Sequence, residues 1–415
     1  MLGIAVFIRQ DLEKESLSKR CFVFLMYLAC FYPFIDSGIE RGGLIINPLK
    51  VLTLAFFIIN VRINRYFLKK RFWGINLFIL VCVITAICSE HPFNSLASSY
   101  NYLLIIMLFF ITIKASEHKE PDSLIGKIII PIFIWIALFA FIQIFIDPQF
   151  TLRYSSRQAE GRLDLCFVDP QTAGTVCILL ATYYFSKAIF TTKKSVLLWC
   201  LILVVIAGFT GSKSCLIGFG VSVILILWYA GVRPSIIFLS MIICGTIVFT
   251  YDIWSQLPVF ERMKEMDDSL EGRRDFYWIK AIEIFHDNTF LGIGPGNFQD
   301  YNIEHHLGLI HYHTDGIQYA SQPESGYLLV LDEFGILSVV PLALILSLFR
   351  IRNNSLVNCA LIIPWMLSFI SLANLSYGSV SFVLAIYIGA VFFTEHRQKN
   401  KKRNQTLKRH YIYNS

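Results

Sequence analysis

The sequence predicts an all-α polytopic membrane protein with about twelve transmembrane helices. Three observations predict it. Apolar residues make up 55% of the 415 and charged residues only 16%, whereas a soluble domain is about a quarter charged. The mean hydropathy is +0.59. Apolar runs close to the roughly 20 residues needed to cross a bilayer recur along the whole chain.

In order, the runs centre on Phe22–Ile35, Leu44–Asn60, Phe72–Cys88, Leu96–Ile113, Ile125–Ile146 and Thr172–Phe190. They continue at Val196–Phe209, Ser214–Tyr229, Pro234–Thr250, Ser325–Leu348, Leu356–Leu372 and Ser376–Phe393. The first and the seventh are short for a crossing. Pro33, Pro131, Pro341 and Pro364 lie within or at the edges of these runs, where neighbouring helices satisfy the carbonyls that proline frees. Met1–Ile8 is too short, and too soon followed by the charged run Arg9–Arg20, to read as a signal peptide.

Lys and Arg set the orientation. With the N-terminus inside and the spans alternating, most of the 36 basic residues fall in cytoplasmic segments, above all Arg9–Arg20, Arg62–Arg71 and Arg397–Arg409. Both termini are then cytoplasmic. The expected organisation is a membrane domain of about nine spans over residues 1–250, a large outward loop over 251–323, three further spans over 324–395 and a basic cytoplasmic tail over 396–415. The net charge of +7 comes mainly from these anchors, so it gives no reason to expect nucleic acid. Ten Cys without a CxxC pair suggest neither metal nor a disulfide framework. No soluble domain and no internal repeat is read.

The polar, aromatic-rich loop Tyr251–Pro323 is the part of the chain that needs a functional explanation. Ser269 to Asn288 reads as a helix, capped by Ser269, with Trp278, Ile282 and Phe285 at i, i+4 and i+7 as its apolar stripe. Arg274 sits one turn before Trp278, near the helix N-terminus, where anions are favoured. Leu291–Phe298 carries Gly292, Gly294 and Gly296 and reads as a sharp, irregular turn. This GxGxG follows a helix, not a strand, so a dinucleotide site does not fit. A loop that brings backbone close to something fits better. His305, His306, His311 and His313 lack ligand spacing on a clear helix and read as solvated loop histidines, not metal ligands.

Three further charges stand at expected outer rims. Arg162 precedes a span, as a headgroup anchor or as a contact to an anionic ligand. Lys213 lies in the tight break Thr210-Gly-Ser-Lys-Ser214, where a lone cation is costly without an anionic partner. Glu324 follows Pro323 and is expected in the first turn of the tenth span, as a helix cap or as a half-buried proton acceptor.

Together these segments resemble the bacterial O-antigen ligase and Wzy-type polysaccharide polymerase superfamily. The resemblance spans roughly Gly161 to Leu337. Gly161-Arg-Leu…Phe-Val-Asp-Pro170 is similar to the family's Arg-containing segment, and Thr210-Gly-Ser-Lys-Ser214 to its "TGSR" turn. Gly272-Arg-Arg-Asp-Phe-Tyr-Trp278 with Gly292-Ile-Gly-Pro-Gly-Asn-Phe298 resembles "GR…W…LGxGxGxF". Glu324-Ser-Gly-Tyr-Leu328 followed by Glu333-Phe-Gly335 resembles "HNxYL…EG". Two positions depart from the pattern. Lys213 replaces the usual Arg, keeping charge but losing the bidentate fork, and Glu324 replaces a His thought to be catalytic in the ligases.

The resemblance implies a bacterial inner-membrane enzyme and a donor glycan on a polyprenyl diphosphate lipid. It implies metal-independent glycosyl transfer without a cofactor. Membrane lipid, a chain-length regulator and a flippase would be partners, and nucleic acid would not. It further implies Glu324 and Arg274 as catalytic residues, with Lys213, Arg162, Arg273 and Trp278 binding substrate. A departing diphosphate needs fixed cations, which these residues supply. Tyr277, Trp278, Tyr301, Tyr312 and Tyr319 either stack on sugar rings or form the loop's own core. A polymerase is favoured over a ligase by Glu324. A transporter is disfavoured because charge concentrates in the outward loop and not inside the spans.

Overall fold

The computed structural model describes residues 39–41, 44–46, 48–59, 73–116, 121–148, 150, 162–167, 169–190, 195–250, 275–313, 316–320, 322–347 and 355–370. The spans read at Phe22–Ile35 and Ser376–Phe393, the basic tail, Ser269, Arg273 and Arg274 lie outside these residues. Each span read between Leu44 and Leu372 overlaps a described helix: α1 (Pro48–Ile59), α2 (Trp73–Ile87), α3 (Pro92–Ser116), α4 (Pro121–Phe145), α5 (Pro170–Phe190), α6 (Val196–Phe209), α7 (Lys213–Tyr229), α8 (Pro234–Thr250), α11 (Gly326–Phe334), α12 (Val339–Ser347) and α13 (Ser355–Phe369). The segment before α11 contributes α9 (Asp275–Asp287) and α10 (Phe298–Glu304).

By length and composition, Pro92–Ile111, Pro170–Phe190 and Gly326–Leu344 are long and apolar enough to cross a membrane, and several shorter apolar helices accompany them. The shorter helices turn Leu198, Leu201, Val205, Ile217, Val221, Phe238 and Leu239 outward. Such continuous apolar exterior is stable against lipid and costly in water. The protein is a predominantly helical, polytopic membrane protein.

Among the described residues, two departures from an all-α fold are small and local. Ile39–Arg41 (β1) pairs antiparallel with Leu44–Ile46 (β2), and Ile310–His313 (β3) with Gly316–Tyr319 (β4). Arg41 faces Leu44 across the first pair. The second span therefore starts as a helix at Pro48 and not at Leu44. The tenth is also interrupted. A 3-10 turn, Gly335–Ser338, separates α11 from α12, and Gly335 has φ 57°, a conformation that costs glycine little.

Helix α5 is the centre of the bundle, with Thr172 through Thr182 buried throughout. Its small and hydroxylated residues let α6, α7 and α13 approach closely. Thr175 and Thr182 return their hydroxyl protons to the carbonyls of Gln171 and Ile178, each at 2.8 Å, so neither hydroxyl is stranded in the apolar interior. Gly218 of α7 leaves room for Pro364 of α13, whose Cα lies 2.6 Å from where a Cβ would stand.

A second, smaller core lies between α9, α10, β4 and α11. Tyr277, Ile284, Ile293, Phe298, Tyr301, Leu309, Ala320 and Leu329 form it, with Trp278 and Leu307 against its edge. The buried face of α9 is therefore Tyr277, Ala281 and Ile284, and Ile282 is 57% exposed. The expected stripe of Trp278, Ile282 and Phe285 is displaced by one residue around the helix. Periodicity is compatible with either face, and packing onto Ile293, Phe298 and Leu329 selects the one holding the small Ala281. Tyr277 and Tyr301 belong to this core, whereas Tyr319 is 43% exposed and the side chain of Tyr312 lies outside the described residues.

The glycine turn binds the two cores together. A Cβ on Gly294 would stand 2.5 Å from Cβ of Ser89 and 2.7 Å from Oγ of Ser95, and one on Gly296 would collide with the Ser98 side chain. Gly296 also has φ 78°. Gly296→Ala is expected to lower stability by about 1–3 kcal/mol. Adding Ser98→Gly should recover the steric part but not the backbone part, as read from thermal unfolding in detergent.

Candidate functional site

The Arg162 segment is held in an unusual backbone. Leu165 and Cys166 have φ 53° and 61°, two successive non-glycine residues in the left-handed region, which persists only where surrounding bonds enforce it. Gln143 of α4 and Asp164 supply those bonds. Gln143 donates from Nε2 to Asp164 Oδ1 at 2.6 Å and to the Phe150 carbonyl at 2.8 Å, and its Oε1 accepts from Leu165 N at 3.0 Å. Asp164 Oδ1 also accepts from Cys166 N at 2.8 Å. Asp169 then starts α5, its carboxylate accepting from Gln171 N at 2.7 Å and Thr172 N at 2.9 Å. With Pro170 at the first helical position, this is a well-formed helix start.

That geometry aims Arg162 at the turn carrying Lys213. Arg162 is 5% exposed, and its Nε donates to the Thr210 carbonyl at 2.9 Å. Leu163 N donates to the Phe209 carbonyl at 3.1 Å. Lys213, partly exposed, is the first residue of α7. The turn reverses at Gly211, with φ 68°, and Gly174 of α5 leaves the space that Thr210 and Ser212 occupy. Ser212 Oγ donates to Cys215 Sγ at 2.9 Å and does not cap α7. The structure thus brings Arg162 and Lys213 onto one turn, where the N-terminal ends of α5 and α7 converge. Asp169 already caps α5, so what suits an anion here is the N-terminus of α7, which has no side-chain cap, together with the two cations.

Glu324 is not in the first turn of a helix. Ser325 is the N-cap of α11, its Oγ accepting from Leu328 N, and Glu324 stands just outside with φ 53°. The side chain that caps α11 is the Ser325 hydroxyl, one residue after the position expected for a cap, and Glu324 is half-buried just before it. Its position is set by α13. Gly326 rests against the Phe369 ring, which leaves no room for a Cβ, and Tyr327 donates to the Met366 carbonyl at 3.2 Å. Because α13 also packs on α7, the helices that start beside Glu324 and at Lys213 share one neighbour. Trp278 lies on α9, in the core that contains Leu329 of α11. Arg273 and Arg274 fall outside the described residues.

An acidic pair, of which only Glu333 stands in a motif named above, sits deep in α11. Asp332 and Glu333 are 0% and 3% exposed. Glu333 accepts from the Tyr102 hydroxyl of α3 through one oxygen, and from Gly296 N at 2.7 Å through the other. The backbone carbonyls of Asp332 and Glu333 accept from Ile293 N at 2.8 Å and Gly294 N at 3.0 Å, and Ile336 N donates to the Thr289 carbonyl at 2.6 Å. The three glycines are therefore a docking surface for the end of α11. The expectation that they bring backbone close to something is met by the protein's own helix. The spans are also less free of charge than composition suggests. Two consecutive acids in an apolar run were the available signal. Gln143 and Tyr102 had none, because their partners are distant in sequence.

Of the loop histidines, His305 stacks on Tyr301 with centroids 3.9 Å apart, and both His305 and His306 are exposed. The side chains of His311 and His313 lie outside the described residues. Glu333→Gln is expected to cost about 1–3 kcal/mol and Tyr102→Phe less. The pair should be non-additive in a double-mutant cycle of unfolding, because both changes break one buried bond.

A comparison with curated proteins finds no match. A family model described as O-Antigen ligase matches residues 196–343. That stretch holds the Lys213 turn, α9, the glycine loop, Glu324 and the acidic pair, while Arg162 lies before it. The match supports a ligase- or polymerase-type role in assembling O-antigen or another polysaccharide, by glycosyl transfer from lipid-linked glycans. Over residues 196–343 this chain is similar to the O-antigen ligase and Wzy-type superfamily, as its motifs suggested.

Proposed function

We propose that this chain is a polysaccharide polymerase that joins polyprenyl-diphosphate-linked glycan repeat units at the periplasmic face of the bacterial inner membrane. About twelve spans with both termini cytoplasmic would put residues 251–323 and the Lys213 turn on that face. The observation that carries the proposal is the bond from buried Arg162 to the turn that carries Lys213, at the N-terminus of α7. It suits a diphosphate whose negative charge grows as it leaves. Arg274 and Arg273, immediately before α9, add cations from the loop, and Trp278 offers a face to a sugar ring.

In the proposed reaction a hydroxyl oxygen of the acceptor glycan bonds to the anomeric carbon of the donor. The bond from that carbon to the diphosphate oxygen breaks, and the diphosphate leaves with the electron pair. Glu324 accepts the hydroxyl proton. Fixed cations carry the charge of the leaving group, which is the sense in which the transfer is metal-independent.

A ligase reading shares the donor and differs in acceptor, which would be lipid A-core. Glu324, standing where the ligases have His, favours the polymerase. Deleting the gene separates the two on a gel of surface glycan: single capped repeats mark a polymerase, and unattached polymer on its carrier lipid marks a ligase.

Lys213→Ala and Arg274→Ala are each expected to abolish long-chain glycan while the protein stays at normal membrane level. Full polymer from both variants would end the diphosphate reading. Glu324→Gln, which keeps shape and removes the proton acceptor, should lose at least about a hundredfold in turnover.

A further inference from the structure

Glu90 and His91 lie in the turn between α2 and α3, and Glu304 is the last residue of α10. More than two hundred residues separate the two segments, yet His91 Nε2 stands 3.0 Å from Glu304 Oε1. One donor atom from each of Glu90, His91 and Glu304 lies within 4.8 Å of the others. His91 and Glu304 are 35% and 46% exposed, so an ion can reach them from solvent. The same seam is joined one turn on by Asn94 Nδ2, which donates to Asp300 Oδ2 at 3.5 Å.

We infer that Glu90, His91 and Glu304 form a binding site for a divalent transition-metal ion of the Zn2+ class. His91 already partners Glu304 at 3.0 Å, and a cation among the three atoms would in addition offset the repulsion between the Glu90 and Glu304 carboxylates. Mixed imidazole and carboxylate donors suit Zn2+ and its neighbours, whereas Ca2+ and Mg2+ take all-oxygen shells. Small rotations of half-exposed side chains bring the three atoms to bonding distance around one ion, and water completes a four-coordinate shell. The ion would fasten α10, and with it the smaller core, to the start of α3. It takes no part in glycosyl transfer, and the inference stands apart from the polymerase proposal.

The test uses the full-length protein purified in detergent and stripped by a chelator. Titration with Zn2+ should show one equivalent bound, and Ca2+ at the same concentration should not displace it. His91→Ala and Glu304→Gln should each weaken binding by at least about tenfold. Zn2+ should raise the thermal midpoint of the wild type and leave that of His91→Ala unmoved. Co2+ in place of Zn2+ should give visible absorption bands that Glu304→Gln alters, a readout independent of folding. Cys88 is a free, exposed thiol two residues before Glu90, so Cys88→Ser serves as a control and should bind normally. Absence of saturable one-to-one binding overturns the inference. So does binding unchanged by His91→Ala, or binding lost in Cys88→Ser alone.

Discussion

Irregular backbone beside apolar helices must have its polar groups answered by protein, because lipid offers no hydrogen bonds. The meeting of the glycine loop with the end of α11 satisfies that constraint, and much of the architecture depends on it. Gly294 and Ile293 donate to carbonyls that the break at Gly335 leaves open, and Ile336 donates back to Thr289. Glu333 accepts from Gly296 and from Tyr102 of α3. One buried carboxylate thus joins the loop, the broken helix and a membrane helix. A Cβ at Gly292 would strike the backbone of Asp332 and Glu333, and one at Gly294 or Gly296 the side chains of Ser89, Ser95 or Ser98, so the glycines serve close approach and not a nucleotide.

The same logic shapes the cationic turn. A guanidinium 5% exposed needs acceptors, and Arg162 finds one in the carbonyl of Thr210. To reach it, the chain passes through two left-handed residues, and Gln143 and Asp164 hold them there. Left-handed backbone just after Arg162 and at Glu324 marks the segments where position is maintained against local preference. Glu324 lies within the stretch that the O-antigen ligase family model matches, and the Arg162 segment lies before it.

Legibility in the sequence followed the range of each interaction. Helices α2 through α8 were readable because hydropathy is summed locally. The positions of Pro170 after Asp169 and of Gly211 within its turn were readable for the same reason. The face of α9 was not: both candidate stripes have helical spacing, and only contact with Ile293, Phe298 and Leu329 separates them. The side chain that caps α11 was not readable, because Glu324 and Ser325 adjoin each other and only the geometry of the Ser325 hydroxyl picks it out. The break at Gly335 was hidden inside an apolar run whose composition reads straight through it.

Sequence alone determined that the chain is a polytopic helical membrane protein, and the order of its motifs pointed to the family. Hydropathy, proline and glycine act on their own neighbourhoods, so a linear reading captures them. Tertiary structure decided which charges meet: Arg162 with the Lys213 turn, Glu333 with Gly296 and Tyr102, and His91 with Glu304. Those pairings join residues from tens to more than two hundred positions apart. Their energies depend on distance and burial, which exist only once the helices have packed.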